Sequence, residues 1–365
     1  MIADVSLQQS PLDQAHRRLK AKMVPFSGWD MPVQYEGIIA EYWATRREVT
    51  VFDTSHMGEF FVEGEEGTRA LDRLVTQPLS DMPFYSCRYG LLLNDAGGVV
   101  DDLIVYRLAA TEWMVVVNAG TMAKDAQQFQ RAITTPGAFR NLSAELGKLD
   151  IQGPGSRDLL RALIDGLERL EYYTFFETSV LGEKCLVSRT GYTGELGYEV
   201  YFPWDKMSRL WDELLQRGVK PAGLGARDVL RLEMGYPLYG HELSEEISPL
   251  SVGLNRFIDW NKNFVGKEAL LKKKAQGVTE KLISFVSETR RSPRADHSLC
   301  SVAGAPVGRV TSGSFSPALQ KGIGMGIVGT AGLGADKQVL FGEGAEKLRA
   351  EIVARPIYKN GSLKK

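Results

Sequence analysis

The run "LLLNDAGGVVDDLIVYRL", residues 91–108, decides the fold. Two apolar stretches flank Asn94-Asp95-Ala96-Gly97-Gly98, a cluster that turns the chain and predicts an antiparallel pair of strands. The second stretch carries two adjacent acids, Asp101 and Asp102, between Val99-Val100 and Leu103-Ile104-Val105. Strand side chains alternate faces. Asp101 is therefore expected to point with Val99, Leu103 and Val105, and Asp102 with Val100, Ile104 and Tyr106. An unpaired carboxylate in a core is very costly, so a buried one gathers donors or shifts its pKa. Two readings follow from the strand alone. In one, it is an edge strand with one acid in water and the other capping backbone N–H groups. In the other, a carboxylate is set in an apolar wall beside a tyrosine, where it orients or deprotonates an amine.

Outward from this hairpin, "GIIAEYWATRRE" (37–48) places Ile38, Ile39 and Tyr42 at helical spacing, with arginines at the end that the helix dipole favours. "VFDTSHMGEFFVEG" (51–64) reads as extended chain, and "EWMVVVNAG" (112–120) as a buried strand. "SRDLLRALIDGLERL" (156–170) predicts one amphipathic helix, with Leu159, Leu160, Leu163, Leu167 and Leu170 on a shared face. "DKMSRLWDELLQRG" (205–218) predicts another, with Asp205 as N-cap and Gly218 as the stop. "KCLVSRTGYTGELGYEVYF" (184–202) reads as strand, glycine-rich loop, strand. Past residue 280 or so, short β-like runs alternate with Gly, Pro and Ser, which predicts a small β-barrel joined near "KKKAQGVTEK". Helices and strands before it lack regular βαβ alternation, so the class is α+β.

The chain's 365 residues can bury two or three domains without disulfides or a structural metal. A net charge of −1 argues against a nucleic-acid footprint over the whole protein. Cys87, Cys185 and Cys300 are scattered and odd in number, which fits a reducing cytoplasm better than a disulfide framework or zinc ribbon. "MIADVSLQQS" has no apolar run of a secretory signal, and no window approaches the ~18 apolar residues of a membrane span. His16, His56, His241 and His297 show no i,i+4 pairing, so no metal site is expected. "GMGIVG" (324–329) fits a dinucleotide fingerprint but lies in the late β-rich region with no helix after it. "FVGKEAL" has Glu268 where a P-loop needs Ser or Thr.

A second acid sits in a comparable setting. In "GYTGELGYEV", three glycines let the backbone bend or approach a ligand, and Glu199 follows beside Val200. A carboxylate matches any planar group offering two adjacent N–H donors. An arginine is one, and the amino-pyrimidine edge of a pterin is another. On spacing alone, the favoured reading pairs Glu199 with an internal arginine such as Arg227.

Seven motifs, in order, carry a resemblance: "KMVPFSGWDMPVQY" (22–35), "VFDTSHMGE" (51–59), "NDAGGVVDDLIVYR" (94–107), "RTGYTGELGYE" (189–199), "GLGARDVLRLEMGYPLYGHEL" (223–243), "FVGKEAL" (264–270) and "TSGSFSPAL" (311–319). Together they closely resemble the T-protein, or aminomethyltransferase, family of the glycine cleavage system, from about Pro11 to the C-terminus. The resemblance implies three domains arranged like a cloverleaf around tetrahydrofolate. Residues 1–278 would form the folate-binding region, as two interleaved α+β subdomains with the second at roughly 53–140, and residues 279–365 the barrel. It implies transfer of the aminomethyl carbon from the lipoyl arm of H-protein to tetrahydrofolate, giving 5,10-methylenetetrahydrofolate, ammonia and reduced lipoyl H-protein. The P- and L-proteins would be functional partners, and neither nucleic acid nor membrane is implied.

Residue by residue, the family's functional aspartate matches Asp102, its pterin-gripping glutamate Glu199, and its arginine Arg227. Its pocket-lining tyrosines and asparagine match Tyr89, Tyr106, Tyr173, Tyr192 and Asn118. "SCRYG" before Leu91 departs from the "GQAQYT" of many relatives, at Tyr89. An acidic H-protein would need a basic surface near the channel mouth, for which "RRSPR" (290–294) is a candidate. The alternative function is another tetrahydrofolate-dependent transferase, or a demethylase of methylated sulfur or amine compounds, on the same scaffold. A third class, folate-binding relatives that maintain iron–sulfur clusters, carries a "K-G-C-Y-x-G-Q" signature that this sequence lacks.

Overall fold

The Asn94–Gly98 turn joins strands Cys87–Leu93 and Val99–Arg107 antiparallel, as the sequence predicts. Gly97 takes a positive φ of 73°, and Gly98 lies against the backbone of a neighbouring loop. The computed structural model describes residues 6–332, 337–344 and 346–364; the opening residues 1–5 read above lie outside these.

The hairpin forms one end of a five-stranded sheet. Its order is Cys87–Leu93, Val99–Arg107, Glu112–Val117, Gly58–Glu63, Phe139–Asn141. A six-stranded sheet runs Phe175–Val180, Glu183–Ser188, Gly197–Pro203, Leu146–Gln152, Thr50–Asp53, Lys220–Pro221. A small three-stranded sheet holds Gln8–Gln9, Trp29–Gln34 and Lys22–Phe26. Glu280–Ser287, Lys321–Gly329, Pro306–Ser316, Ser298–Cys300, Gln338–Gly342 and Leu348–Val353 close into a barrel, which leaves no open sheet edge among them. The α+β class and the C-terminal barrel both stand.

The two faces of the five-stranded sheet have different duties. One face carries Leu92, Leu103, Val105, Trp113 and Val115, packed with Leu71 and Leu74 of helix Gly64–Leu74 and Phe129 of helix Met122–Ala132. The other face is shared. Leu91, Leu93 and Val99 pack with Leu232, Phe264 and the barrel residues Ile323 and Met325. Tyr106, Met114 and Val116 pack with Phe175, Leu186 and Tyr201 of the six-stranded sheet. Asp102 lies on this second face, between those two interfaces. Burial of the apolar groups, at about 25 cal/mol per Å², drives all three units to meet there.

Four predictions of detail fail for identifiable reasons. The pairing slips between Leu92 and Leu93, so Val99 rather than Val100 opposes Leu93. This bulge turns Val100 onto the face of Leu103 and Val105, while Val99 joins the opposite face; the simple alternation is broken just before the acids. In helix Ile38–Arg47, Tyr42 is buried but Ile39 is 53% exposed. The 156–170 stretch is a short helix, Ser156–Leu160, then turns and a 3₁₀ turn at Leu167–Arg169. Gly166 adopts φ 87°, which stops a continuous helix, yet Leu160, Leu167 and Leu170 still reach the core of the six-stranded sheet. Finally, helix Met207–Gln216 starts after a 3₁₀ turn, so Lys206 occupies the N-cap and Asp205 bonds Lys206 instead; Gly218 does end the segment at φ 88°.

Two further features bind the units. Arg46, 1% exposed, donates to Glu195 at 2.7 Å, Glu233 at 2.6 Å and the Thr193 carbonyl at 2.8 Å. Glu233 also accepts from Tyr42 and from Ser316 of the barrel. Gly98 packs so closely on the Glu245 carbonyl that an added Cβ would lie 1.6 Å from its oxygen. Gly98→Ala is therefore expected to cost about 1–3 kcal/mol, as an overpacked site does, read as a lower urea midpoint at unchanged slope.

Candidate functional site

Asp102 is half-buried on the shared face of the sheet. Its carboxylate accepts from the Tyr89 hydroxyl at 3.0 Å and from Asn118 Nδ2 at 2.9 Å. Asn118 follows strand Glu112–Val117, where the ladder to Val99–Arg107 has run out, and takes over its role. Its N–H and Nδ2 both donate to Asp101, at 3.0 and 2.9 Å, and Nδ2 also meets the Asp102 carbonyl. Neither acid lies on open surface. Asp101 is fully buried on the helix-covered face, so the edge-strand reading fails.

Burial pushes Asp102 up, and the charge of Asp101 pushes it further, to about 7; Tyr89 and Asn118 act in the opposite direction. Burial likewise raises Asp101. A carboxyl poised near neutral pH can both take and return a proton. Burial, then Asp102, holds the Tyr89 hydroxyl well above the ordinary phenol range, so it stays a donor.

The second acid is built by strand alternation. Lys148, Asp150 and Gln152 share one face of strand Leu146–Gln152, and Glu199 and Tyr201 the same face of Gly197–Pro203, in register at Asp150–Glu199 and Lys148–Tyr201. All five are buried. Glu199 pairs with Lys148 at 3.0 Å and accepts from the Thr190 hydroxyl. Burial alone would raise Glu199, but Lys148, Thr190 and Arg227 outweigh it and hold it below the usual range. The favoured sequence reading, an ion pair with Arg227, is thus corrected: Lys148 is the partner, and Arg227 pairs with Asp150. Asp150 stands opposite Glu199 in the neighbouring strand and takes the guanidinium of Arg227, from helix Leu224–Met234, so that Arg227 acts on Glu199 only through its charge.

Tyr192 links the two acids. Arg227 lies 4.9 Å from its ring centroid, and the ring stacks on Tyr236 at 5.5 Å. Tyr192 bonds the Pro237 carbonyl and senses the charge of Asp102. Tyr173, at a positive φ of 67°, packs edge-on against Tyr172 and senses Glu199. Asp102, Asn118, Tyr89, Tyr192, Arg227, Glu199 and Tyr173 therefore belong to one neighbourhood. Tyr106 differs: it is fully buried, and its hydroxyl meets Tyr201 at 2.9 Å and Ser188 at 3.2 Å, so it supports the site from inside.

Sequence reasoning missed Lys148, Asp150, Thr190 and Glu59. "KLDIQ" has the alternation of a half-solvated strand, and nothing in it signals that the polar side is buried. Glu59 is buried with both carboxyl oxygens lacking a hydrogen-bond partner among the described residues, and burial raises it well above the carboxylate range. His56, in the turn just before strand Gly58–Glu63, has an Nδ1 with no partner among the described residues, and burial drops it to about 4. Polar atoms left unsatisfied on a buried polar floor fit a polar ligand that completes them. Among the described residues, no group of three or more His, Cys, Asp or Glu could hold a metal ion, and no helix is long and apolar enough to cross a membrane.

A near-neutral carboxyl and a buried ionised one, set around stacked tyrosines where two sheets and a barrel meet, are the equipment of an enzyme site that moves a proton beside a polar, planar ligand. Comparison with known proteins narrows the class. Residues 12–262 match the GCVT N-terminal domain and residues 280–359 the glycine cleavage T-protein C-terminal barrel domain. The aminomethyltransferase of Pseudothermotoga lettingae is 40% identical over 370 residues, covering 98% of this chain and 99% of that one. That of Listeria monocytogenes serotype 4a is 40% identical over 357 residues, covering 97% and 98%. The crystal structure of the glycine cleavage system aminomethyltransferase T from Bartonella henselae superposes with a TM-score of 0.91 at 30% identity, covering 98% and 99%. The chain belongs to the glycine cleavage T-protein family, and its activity is that of an aminomethyltransferase.

Proposed function

We propose that the chain transfers the carbon of an aminomethyl group, carried on the lipoyl arm of H-protein, to tetrahydrofolate, with Asp102 as the reacting carboxylate and Glu199 as the pterin anchor. The observation that carries this is the contrast between the two acids: one poised near 7 by burial beside Asp101, the other held ionised by Lys148. In this reading residues 1–278 hold the folate, with 53–140 as their second subdomain, and 279–365 form the barrel unit. The P- and L-proteins act before and after it in the cytoplasm.

Tetrahydrofolate supplies the two nitrogens that take up the carbon. Each oxygen of Glu199 keeps a lone pair beyond its bond to Lys148 or Thr190, enough to accept the paired N–H groups of a pterin edge. Tyr192 and Tyr173 offer ring faces, Arg227 holds Tyr192 in place, and Tyr106 backs the pocket. Asp102, aimed by Tyr89 and Asn118, takes a proton from a folate nitrogen and returns it to the departing ammonia. The balance closes: of two folate N–H protons, one ends on ammonia and one on the lipoyl thiol. Arg290, Arg291 and Arg294 are exposed and suit an acidic partner such as H-protein.

Glu199→Gln is expected to weaken tetrahydrofolate binding about 10–100-fold, the worth of a charge-assisted hydrogen bond lost at a buried donor. Unchanged affinity in an equilibrium titration would remove Glu199 from this role. The reaction itself is tested by supplying aminomethylated H-protein and tetrahydrofolate and following methylenetetrahydrofolate and ammonia. Formation of 5-methyltetrahydrofolate from a methylated small molecule would instead favour a demethylase.

A further inference from the structure

After the last barrel strand, Leu348–Val353, the chain returns to the six-stranded sheet. The N–H groups of Ile357 and Tyr358 donate to the Glu233 carbonyl at 2.8 and 3.0 Å, and the Tyr358 ring centroid lies 4.1 Å from the Arg46 guanidinium. Residues 361–363 then run along the glycine-rich loop. Leu363 N–H donates to the Gly194 carbonyl at 3.2 Å, and Arg189 donates to the Leu363 carbonyl at 3.3 Å. Gly361 comes so close that an added Cβ would lie 2.2 Å from the Gly194 carbonyl oxygen. Ser362 is buried at the centre of this contact. Its N–H, at 2.8 Å, and its hydroxyl both donate to Glu195 Oε2, and its Oγ accepts from Leu196 N–H at 2.9 Å. One hydroxyl has one proton to give and lone pairs to accept, so these bonds coexist. Arg46 holds the other oxygen of Glu195.

We propose that Ser362 is a positioning residue for folate binding: it clasps the middle of the glycine-rich loop, so that Tyr192 at one end and Glu199 beyond the other are set before the ligand arrives. The proposal rests on Glu199 being the pterin anchor. Residues 191–196 belong to no helix or strand, and Gly194 bends the loop at φ 80°. No backbone ladder therefore fixes its course, and the clasp at Gly194, Glu195 and Leu196 supplies that restraint. A loop ordered in advance binds more tightly, because the ordering cost is already met. Without the Ser362 hydroxyl, Leu196 N–H and Glu195 Oε2 each lose a buried partner, and only a fraction of molecules hold the competent loop. The apparent Kd for folate then rises by the reciprocal of that fraction. The bound complex, and so turnover at saturation, is unchanged.

The test splits KM from kcat in the full-length protein. Ser362→Ala is expected to raise the Kd and KM for tetrahydrofolate at least about threefold, with kcat and the KM for H-protein within about twofold of wild type. In the folate-free variant, amide exchange at Leu196 is expected to quicken at least about fivefold, the worth of one hydrogen bond. Gly361→Ala, which pushes the clasp off the Gly194 carbonyl, is expected to raise the folate KM likewise and serves if Ser362→Ala does not fold. Lys364→Ala, an exposed neighbour, is expected to bind as wild type does. The proposal is overturned if Ser362→Ala and Gly361→Ala keep the wild-type folate KM, or if kcat falls while that KM holds, the mark of a merely structural role. It is equally overturned if Lys364→Ala weakens binding as much as Ser362→Ala. Wild-type folate affinity in Glu199→Gln instead marks failure of the pterin-anchor assignment, a separate result.

Discussion

Replacing Asp102 by asparagine is expected to cut turnover about 10²–10⁴-fold, the usual worth of one general acid–base group, while tetrahydrofolate affinity stays within about threefold. The amide keeps the shape: its oxygen can still accept from Asn118 Nδ2 while its NH2 donates to the Tyr89 hydroxyl oxygen, so the pocket is preserved. It cannot carry a proton from the folate nitrogen to ammonia. The wild-type rate should fall as pH drops through about 7, because protonated Asp102 cannot act as the base, and that limb should vanish in the variant. The same shift makes a stability prediction of fixed sign. Asp102 binds its proton more tightly folded than unfolded, so its contribution to stability is present below the ordinary carboxylate pKa and is lost as pH rises to about 7. Asp102→Asn is thus expected to melt higher than wild type at pH 8, with the gain shrinking toward pH 4. Scanning calorimetry at the two pH values checks it. A variant less stable at pH 8 would mean that Asp102 is not an energetically strained group.

Arg46→Met is expected to destabilise the protein by about 3–5 kcal/mol. The guanidinium is the shared partner of Glu195 and Glu233, both fully enclosed, and its loss leaves two buried carboxylates uncompensated. The damage should also reach function. Glu195 accepts from the N–H and hydroxyl of Ser362 near the C-terminus, and sits in the glycine-rich loop that carries Tyr192 and leads into Glu199. Glu233 ties helix Leu224–Met234, which carries Arg227, to the barrel through Ser316. Chemical denaturation reads the loss of stability; folate titration reads a weaker pocket in the fraction that remains folded. A change below about 1 kcal/mol would place Arg46 among exposed pairs, which contribute little.

The hairpin was legible because turn chemistry and apolar runs are local, and the barrel because its short strands recur between glycines. What local pattern could not supply was context. The bulge at Val99-Val100 depends on pairing with Leu92 and Leu93, so the faces just before the acids were misassigned. Leu160, Leu167 and Leu170 were rightly read as core, yet their helical spacing was not a helix, because Gly166 turns the chain while packing keeps the leucines inside. Lys148, Asp150 and Gln152 alternate like a solvated strand but line an interior polar floor between sheets. The Asp102 motif, by contrast, could be read as unusual from chemistry alone: two acids in an apolar strand require donors, and Asn118 and Tyr89 supply them.

The most direct measurement is a crystal structure of the protein with tetrahydrofolate. The account predicts the pterin edge on Glu199 and the Asp102 carboxylate within about 3.2 Å of a carbon-accepting nitrogen, or joined to it by one water. A folate seated with Asp102 out of such reach, its carboxylate still satisfied by Tyr89 and Asn118 alone, would contradict it.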